Sequence, residues 1–336
     1  MAMSGGKIIA VTACSMICAG ATVAQTESAG ALCDSPAPQR AITACTSVIN
    51  SAATSAANVS LALTARALAY EKTGRNDLAM ADLDRAIARD RKNPHAWVDR
   101  GNLFLAQGEF DRAMADFDQA VGSRASNSYA LGHRGDAWLI HGDPDKAIAD
   151  YDRAIALDRR NVRIIINRGQ AWRRKGDDER ALKDFDRAVE LDSGNVSARL
   201  ARASIYEVKR EWKLAIADYD RAIEGDPDRA QSWVNRGTAY AKVADFSHAI
   251  ADYSAALNHG ARAPELYADL GLARLQAGQY TDAISDFDTA LSLAPDDAKA
   301  LYSRGLAKLK TVDEAGGRAD IGAAQRLDPS LPGVLN

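Results

Sequence analysis

The sequence predicts an all-α solenoid of stacked antiparallel helix pairs. Three observations predict it: a 34-residue period, two positions that never change within it, and helix stop signals that keep the same phase. Eight segments begin at Ser60, Pro94, Ser128, Val162, Val196, Ala230, Pro264 and Ala298 and run without an insertion to Leu331. Their twenty-third positions are Asp82, Asp116, Asp150, Asp184, Asp218, Asp252, Asp286 and Asp320, and their twenty-seventh are all alanine, from Ala86 to Ala324. A unit of this length cannot bury its apolar face alone, so neighbouring units must stack. The 336-residue length would suggest two domains, but a solenoid grows by addition rather than around one core. The formal net charge is -3, without the basic stripe of a nucleic-acid binder, so a nucleic-acid partner is not expected.

Taken in order, residues 1–24 stand outside the fold. Lys7 precedes an uncharged apolar run, Ile8 to Val23, and Thr22-Val23-Ala24 offers small residues for cleavage before Gln25. That is the pattern of a secretory signal peptide. The run is shorter than the roughly 20 residues of a membrane span. The expectation is an exported protein, periplasmic or secreted, whose mature chain has no membrane span. The variants are a retained anchor and lipid attachment at Cys14, after Val11-Thr12-Ala13.

Residues 25–59 read as a degenerate helical hairpin in the same phase. Cys33 and Cys45 fall where other units place Gly101 or Gly135 and Ala79 or Ala113, the small positions at which paired helices approach. An even pair of cysteines in an exported chain reads as one disulfide. The alternative is two buried thiols.

Each full unit begins at a helix N-cap. Asn93, Asn127, Asn161 and Asn195 recur in phase, and an asparagine there accepts from free backbone amides. Proline follows directly at Pro94, suited to the first helical position. Trp97, Gly101 and Phe104 recur at helical spacing, and Gly108 stops the helix, as do Gly74, Gly142, Gly176 and Gly278 in phase. A second helix follows with Phe110, Ala113, Phe117 and Ala120.

Those residues of the 94–125 unit, with Pro227, Pro295 and Pro329 closing later units, resemble the tetratricopeptide repeat, and the resemblance covers 60–331, leaving 332–336 as a tail. The resemblance implies a right-handed superhelix and a non-catalytic role: an extended peptide or a partner protein lies against first-helix positions two, five, six, nine, twelve and thirteen. One departure is systematic. The seventh position, usually leucine in the family, is arginine in Arg66, Arg100, Arg134, Arg168, Arg202, Arg236 and Arg304. These arginines are expected to pair with the repeating aspartates, each pair contributing about 0.2–1 kcal/mol if exposed.

No constellation for chemistry stands out. His95, His133, His141, His248 and His259 lack metal-ligand spacing, and there is no nucleophile elbow or phosphate-binding glycine loop. Neither enzymatic activity nor a metal nor a cofactor is expected. Aspartate pairs such as Asp82 and Asp84 lie two apart on a helix and point to different sides, so a calcium site is not expected.

The binding candidates are first-helix residues that vary between units. Sixth positions include Asp99, His133, Asn167 and Asn235; ninth positions include Asn102, Asp136 and Gln170. They form a polar ladder able to donate and accept, of which Asn167 and Asn235 match the asparagine ladders of family members that grip peptide backbone. The alternative is a wetted wall with no ligand. No fifth position is lysine, so the family's two-carboxylate clamp is not supported. Arg163, Arg173, Arg174 and Lys175 concentrate in one first helix, which suggests an acidic partner. The last unit carries Gly316 and Gly317 where a helix favours alanine, so that end is expected to fray or to be covered. A second reading follows, in which the chain is an assembly component that self-associates through Gly316 to Asn336, and a third makes it a regulatory subunit of a separate enzyme.

Export has a direct test. Mass spectrometry of protein recovered from its native cell is expected to give an N-terminus near Gln25. An intact Met1 on cytoplasmic protein contradicts it.

Overall fold

Asparagine at each unit boundary caps the helix that follows. The side chains of Asn93, Asn127, Asn161 and Asn195 accept from the backbone N–H groups of His95, Ala130, Ile164 and Ala198 at 3.0–3.2 Å. In the turns between paired helices Gly74, Gly108, Gly142, Gly176 and Gly278 all have positive φ, the left-handed conformation that closes a helix. Arg210 and Ala244 occupy the same phase and adopt the same conformation, at φ 58° and 60°, against the steric preference of residues with a Cβ.

The computed structural model describes Cys33, residues 35–123 and residues 127–332. The expected signal peptide and Cys14 lie outside these residues, as does most of the tail. The described residues form seventeen α-helices and no strand, the all-α arrangement of helix pairs that the period predicts. None of these helices is long and apolar enough to cross a membrane. The chain divides between Arg159 and Arg160 into two units.

The first unit holds α1 (Pro38–Asn50), α2 (Ala56–Glu71), α3 (Asn76–Arg89), α4 (Pro94–Ala106), α5 (Phe110–Ser123), α6 (Ser128–His141) and α7 (Pro144–Leu157). The second holds α8 (Val162–Arg174), α9 (Asp178–Leu191), α10 (Val196–Val208), α11 (Trp212–Gly225), α12 (Ala230–Lys242), α13 (Phe246–Asn258), α14 (Pro264–Gln276), α15 (Tyr280–Leu293), α16 (Ala298–Leu309) and α17 (Glu314–Leu327). Within each unit consecutive helices pack in pairs, and first helices also touch one another: α2 with α4 and α4 with α6, then α8 with α10 and α12 with α14. The first helices therefore share one face of each unit.

The core is built from alanine and one large side chain per pair. Phe117, Tyr151, Phe185, Tyr219 and Phe287 are almost fully buried. The rings of Phe117, Tyr151, Phe185 and Phe287 explain the eighth-position glycines opposite them. A Cβ on Gly135 would lie 2.6 Å from the Tyr151 ring, and one on Gly169 2.6 Å from Phe185. At these positions the aromatic ring of the second helix lies directly on the backbone of the first, whereas Ala203 takes the eighth position opposite Tyr219.

The seventh-position arginines do pair with the repeating aspartates, but not as exposed pairs. All eight aspartates are buried; Asp116 is 4% exposed. Arg100 donates from Nε and Nη2 to both carboxylate oxygens of Asp116 at 2.8 Å, and from Nη1 to Asp84 of the preceding helix pair at 2.7 Å. Arg134, Arg202, Arg236 and Arg304 repeat this three-bond arrangement with Asp150 and Asp118, Asp218 and Asp186, Asp252 and Asp220, and Asp320 and Asp288. One guanidinium thus fixes both the packing within a pair and its attachment to the pair before it. The ladder is interrupted once. Leu270 replaces the arginine and Ser254 the preceding aspartate, and Arg274, one turn on, reaches Asp286 at 2.8–2.9 Å instead.

At the chain's ends two expectations meet the geometry. Cys33 and Cys45 are buried together with Cα atoms 5.1 Å apart, within the span of a disulfide. At the other end α17 is helical through Gly316 and Gly317. Asp313 caps it at Gly316, and a Cβ on Gly317 would sit 2.8 Å from the Gly305 carbonyl. Glycine at this position allows a close backbone approach that alanine would block.

Candidate partner-binding face

The 3.6-residue period brings positions two, six, nine and twelve of a first helix onto one stripe. In the first unit this stripe on α2, α4 and α6 borders a groove of about 800 Å³. Leu61, Ala65, Leu68 and Glu71 come from α2, His95, Asp99 and Asn102 from α4, and Tyr129 and His133 from α6. The Tyr129 ring touches two imidazoles, with centroids 4.7 Å from His95 in a tilted contact and 4.5 Å from His133 in an edge-on one. Its hydroxyl donates to Asp99 Oδ1 at 3.3 Å.

Electrostatics make Asp99 the unusual group of this groove. Burial raises its carboxyl to about 7, the nearby Glu71 carboxylate adds to the rise, and the Tyr129 hydroxyl opposes it. Burial also raises Glu71 above the ordinary glutamate value. Among the described residues neither lysine nor arginine lines the groove.

Of the sequence-derived candidates, this groove brings together Asp99, Asn102 and His133. Asp136 is not part of its lining: the carboxylate accepts from the Tyr151 hydroxyl of the paired helix at 2.7 Å and so braces the fold.

The second unit treats its candidates differently. Gln170, Arg173 and Arg174 line a groove of about 520 Å³ with Gly176 and Asp178. Arg173 donates from Nη1 to Ser204 Oγ on α10 at 2.7 Å, and its Nε lies 3.9 Å from Asp178. Arg163 does not join them. It sits in the first turn of α8 and the arginine pair in the last, about 15 Å apart at 1.5 Å per residue. The arginines of this helix therefore form no single cluster. Asn167 lies half-buried in mid-α8, outside that groove's lining, and Asn235 on α12 accepts from Gln231 of the turn before it at 2.7 Å.

Sequence reasoning passed over Glu71, His95 and Tyr129. Each stands at the twelfth or second position of its unit, positions that the family resemblance already assigns to the groove, so the signal was present. Among the described residues no three histidine, cysteine or acidic side chains come together as metal ligands.

Comparison with known proteins agrees with the helix pairing. The profile described as tetratricopeptide repeat matches residues 64–130, 98–162, 134–196, 166–230 and 234–287, and a second, described as TPR repeat, matches 271–312. Together they cover well over half of the chain. No curated protein matches the sequence. Similar solved structures include a tetratricopeptide repeat protein from Parabacteroides merdae, at 19% identity and TM-score 0.50, covering 74% of this chain and 98% of that one. The C-terminal part of a repeat-containing protein from Cytophaga hutchinsonii aligns at 16% identity and TM-score 0.56, over 70% and 96%. Pseudomonas aeruginosa pilF aligns at 20% identity and TM-score 0.54, over 58% and 89%. At these identities the likeness is one of fold.

The raised carboxyl of Asp99 fixes the sign of a pH effect. A folded-state value near 7, above the ordinary aspartate value of about 4, means that its contribution to stability is full below pH 4 and lost as pH rises through 7. Asp99→Asn is therefore expected to stabilise the first unit at pH 8, by about 1–2 kcal/mol after allowing for groove water, and to change nothing at pH 4. Thermal melting of the two proteins across that range checks it; a difference independent of pH contradicts it.

Proposed function

Since the chain belongs to the tetratricopeptide repeat family, we propose that it is a non-catalytic scaffold that holds an extended peptide or a protein partner against its first-helix face. The observation that carries this reading is the division of labour within each helix pair. The seventh, eighth, twenty-third and twenty-seventh positions keep one packing solution almost unit by unit, while the second, sixth, ninth and twelfth vary freely along the shared face and border open grooves. Variation without loss of fold is what a fixed scaffold permits at a recognition surface.

The proposal includes three finer points. The protein is exported, on the strength of Lys7, the apolar run and Thr22-Val23-Ala24. Cys33 and Cys45 form a disulfide that ties Cys33 to α1, which starts at Pro38; closing so short a loop stabilises this end by about 2–3 kcal/mol. In the second unit, Arg173 and Arg174 take carboxylates of an acidic segment, with Gln170 beside them, since guanidinium groups bind carboxylates in pairs of hydrogen bonds. Arg163 and Asn167 on the same helix, and Asn235 on α12, offer further polar contacts.

Crosslinking in the native cell followed by capture of the mature protein supplies the partner for the test. Arg173→Ala with Arg174→Ala is expected to leave helicity intact and to shift stability by under about 1 kcal/mol, because Arg174 is exposed and Arg173 loses one hydrogen bond. It is expected to weaken partner capture, with a loss that shrinks as salt rises. Capture unaltered by this pair and by Asn167→Ala with Asn235→Ala would move the site off the first-helix face, towards an end such as α17.

A further inference from the structure

The groove on α2, α4 and α6 is chemically the opposite of an anion site. Its carboxylates, Glu71 and Asp99, face it without a lysine or arginine among the described residues of the lining. The contrast within the same unit is informative. Asp82, Asp116 and Asp150 are each held by two guanidinium nitrogens, whereas among the described residues the Asp99 carboxylate accepts only from the Tyr129 hydroxyl, at a long 3.3 Å. Beside it stand the rings of His95, Tyr129 and His133, in tilted and edge-on contact. Carboxylates next to an aromatic face are the two elements that hold an ammonium or guanidinium group.

The remaining lining says what kind of molecule carries that cation. Leu61 and Leu68 are large apolar side chains left 52% and 45% exposed on the same stripe of α2. Thr54 Oγ1 is buried with no hydrogen-bond partner among the described residues, and it too lines the groove, with the amides of Asn58 and Asn102. At about 800 Å³ the space exceeds what one ammonium headgroup fills. Apolar side chains for flanking residues, polar side chains for a peptide backbone and a carboxylate–aromatic corner for a charge fit one occupant, an extended peptide.

We propose that this groove binds an extended partner segment through a lysine or arginine side chain placed between Glu71, Asp99 and the Tyr129 ring, with an apolar neighbour on Leu61 and Leu68. This rests on the reading that the first-helix face is the binding face, and it names the chemistry recognised in the first unit. The cation supplies the counter-charge that the two carboxylates lack.

Selection of a displayed library of random dodecapeptides on the mature protein tests it. Peptides retained by the wild type are expected to share one lysine or arginine with an apolar residue nearby. Their affinity is expected to fall roughly tenfold or more for the Glu71→Gln, Asp99→Asn variant. Replacing the shared lysine by norleucine is expected to cost a similar factor against the wild type and almost nothing against the variant. That coupling is the signature a merely structural role would not produce. Peptides that lose binding on Leu61→Glu or Asn102→Ala yet carry no shared basic residue would overturn the cation and leave the groove reading standing. Selected peptides indifferent to every groove substitution, or none selected at all, would overturn both, as expected if a second copy or the residues before Cys33 fill the groove.

Discussion

The structure depends on a buried carboxylate that must be neutralised. Every helix pair carries an aspartate inside its interface, and a charge there is costly unless it is paired and fully hydrogen-bonded. The seventh-position arginine does both, meeting Asp116 or Asp150 with two parallel bonds and using its third nitrogen on the preceding pair. The requirement is geometric as well as electrostatic. A guanidinium is planar and rigid, so three bonds to two helices define how those helices sit. Where Leu270 and Ser254 remove the link, Asp286 keeps a partner in Arg274, but burial outweighs that arginine and raises its carboxyl to about 6. The compensation is partial.

A scaffold fixed in this way from its seventh and twenty-third positions leaves the first-helix stripe free to carry different chemistry in different units. In the first unit that stripe is acidic and aromatic, through Glu71, Asp99, His95, Tyr129 and His133; in the second it includes Arg173 and Arg174. A solenoid sums local terms, so such differences can accumulate without upsetting the fold.

Much of this was legible because a repeat shows its constraints many times over. The asparagine caps, the stop glycines, the small eighth position and the alanine at the twenty-seventh each follow from local backbone or packing rules that leave a mark on the sequence. The arginine–aspartate pairing was legible too, but its burial was not: spacing tells which residues meet, not how much solvent remains around them. The same limit hid the difference between Asp99 and Asp136. Both look like groove residues by position, but the Tyr151 hydroxyl, reaching across the helix pair, takes Asp136 into the scaffold. Arg163 was grouped with Arg173 and Arg174 because they share a helix, although ten residues of helix separate their side chains. Arg210 and Ala244 hold a left-handed turn that nothing in their own identity announces; the repeat's phase imposes it.

The central claim is that the buried pair, rather than the surface charges around it, orders each unit. Native-state hydrogen exchange of α4 and α5 in Arg100→Ala and in Arg112→Ala compares the two directly, since exchange reports local opening in a chain whose stability is a sum of local terms. Arg112 pairs with Glu109 at the surface and is 62% exposed. Loss of Arg100 strands Asp116 and is expected to lower the opening free energy of both helices by about 2–4 kcal/mol, while loss of Arg112 costs under about 1 kcal/mol. Equal effects from the two substitutions would contradict the claim.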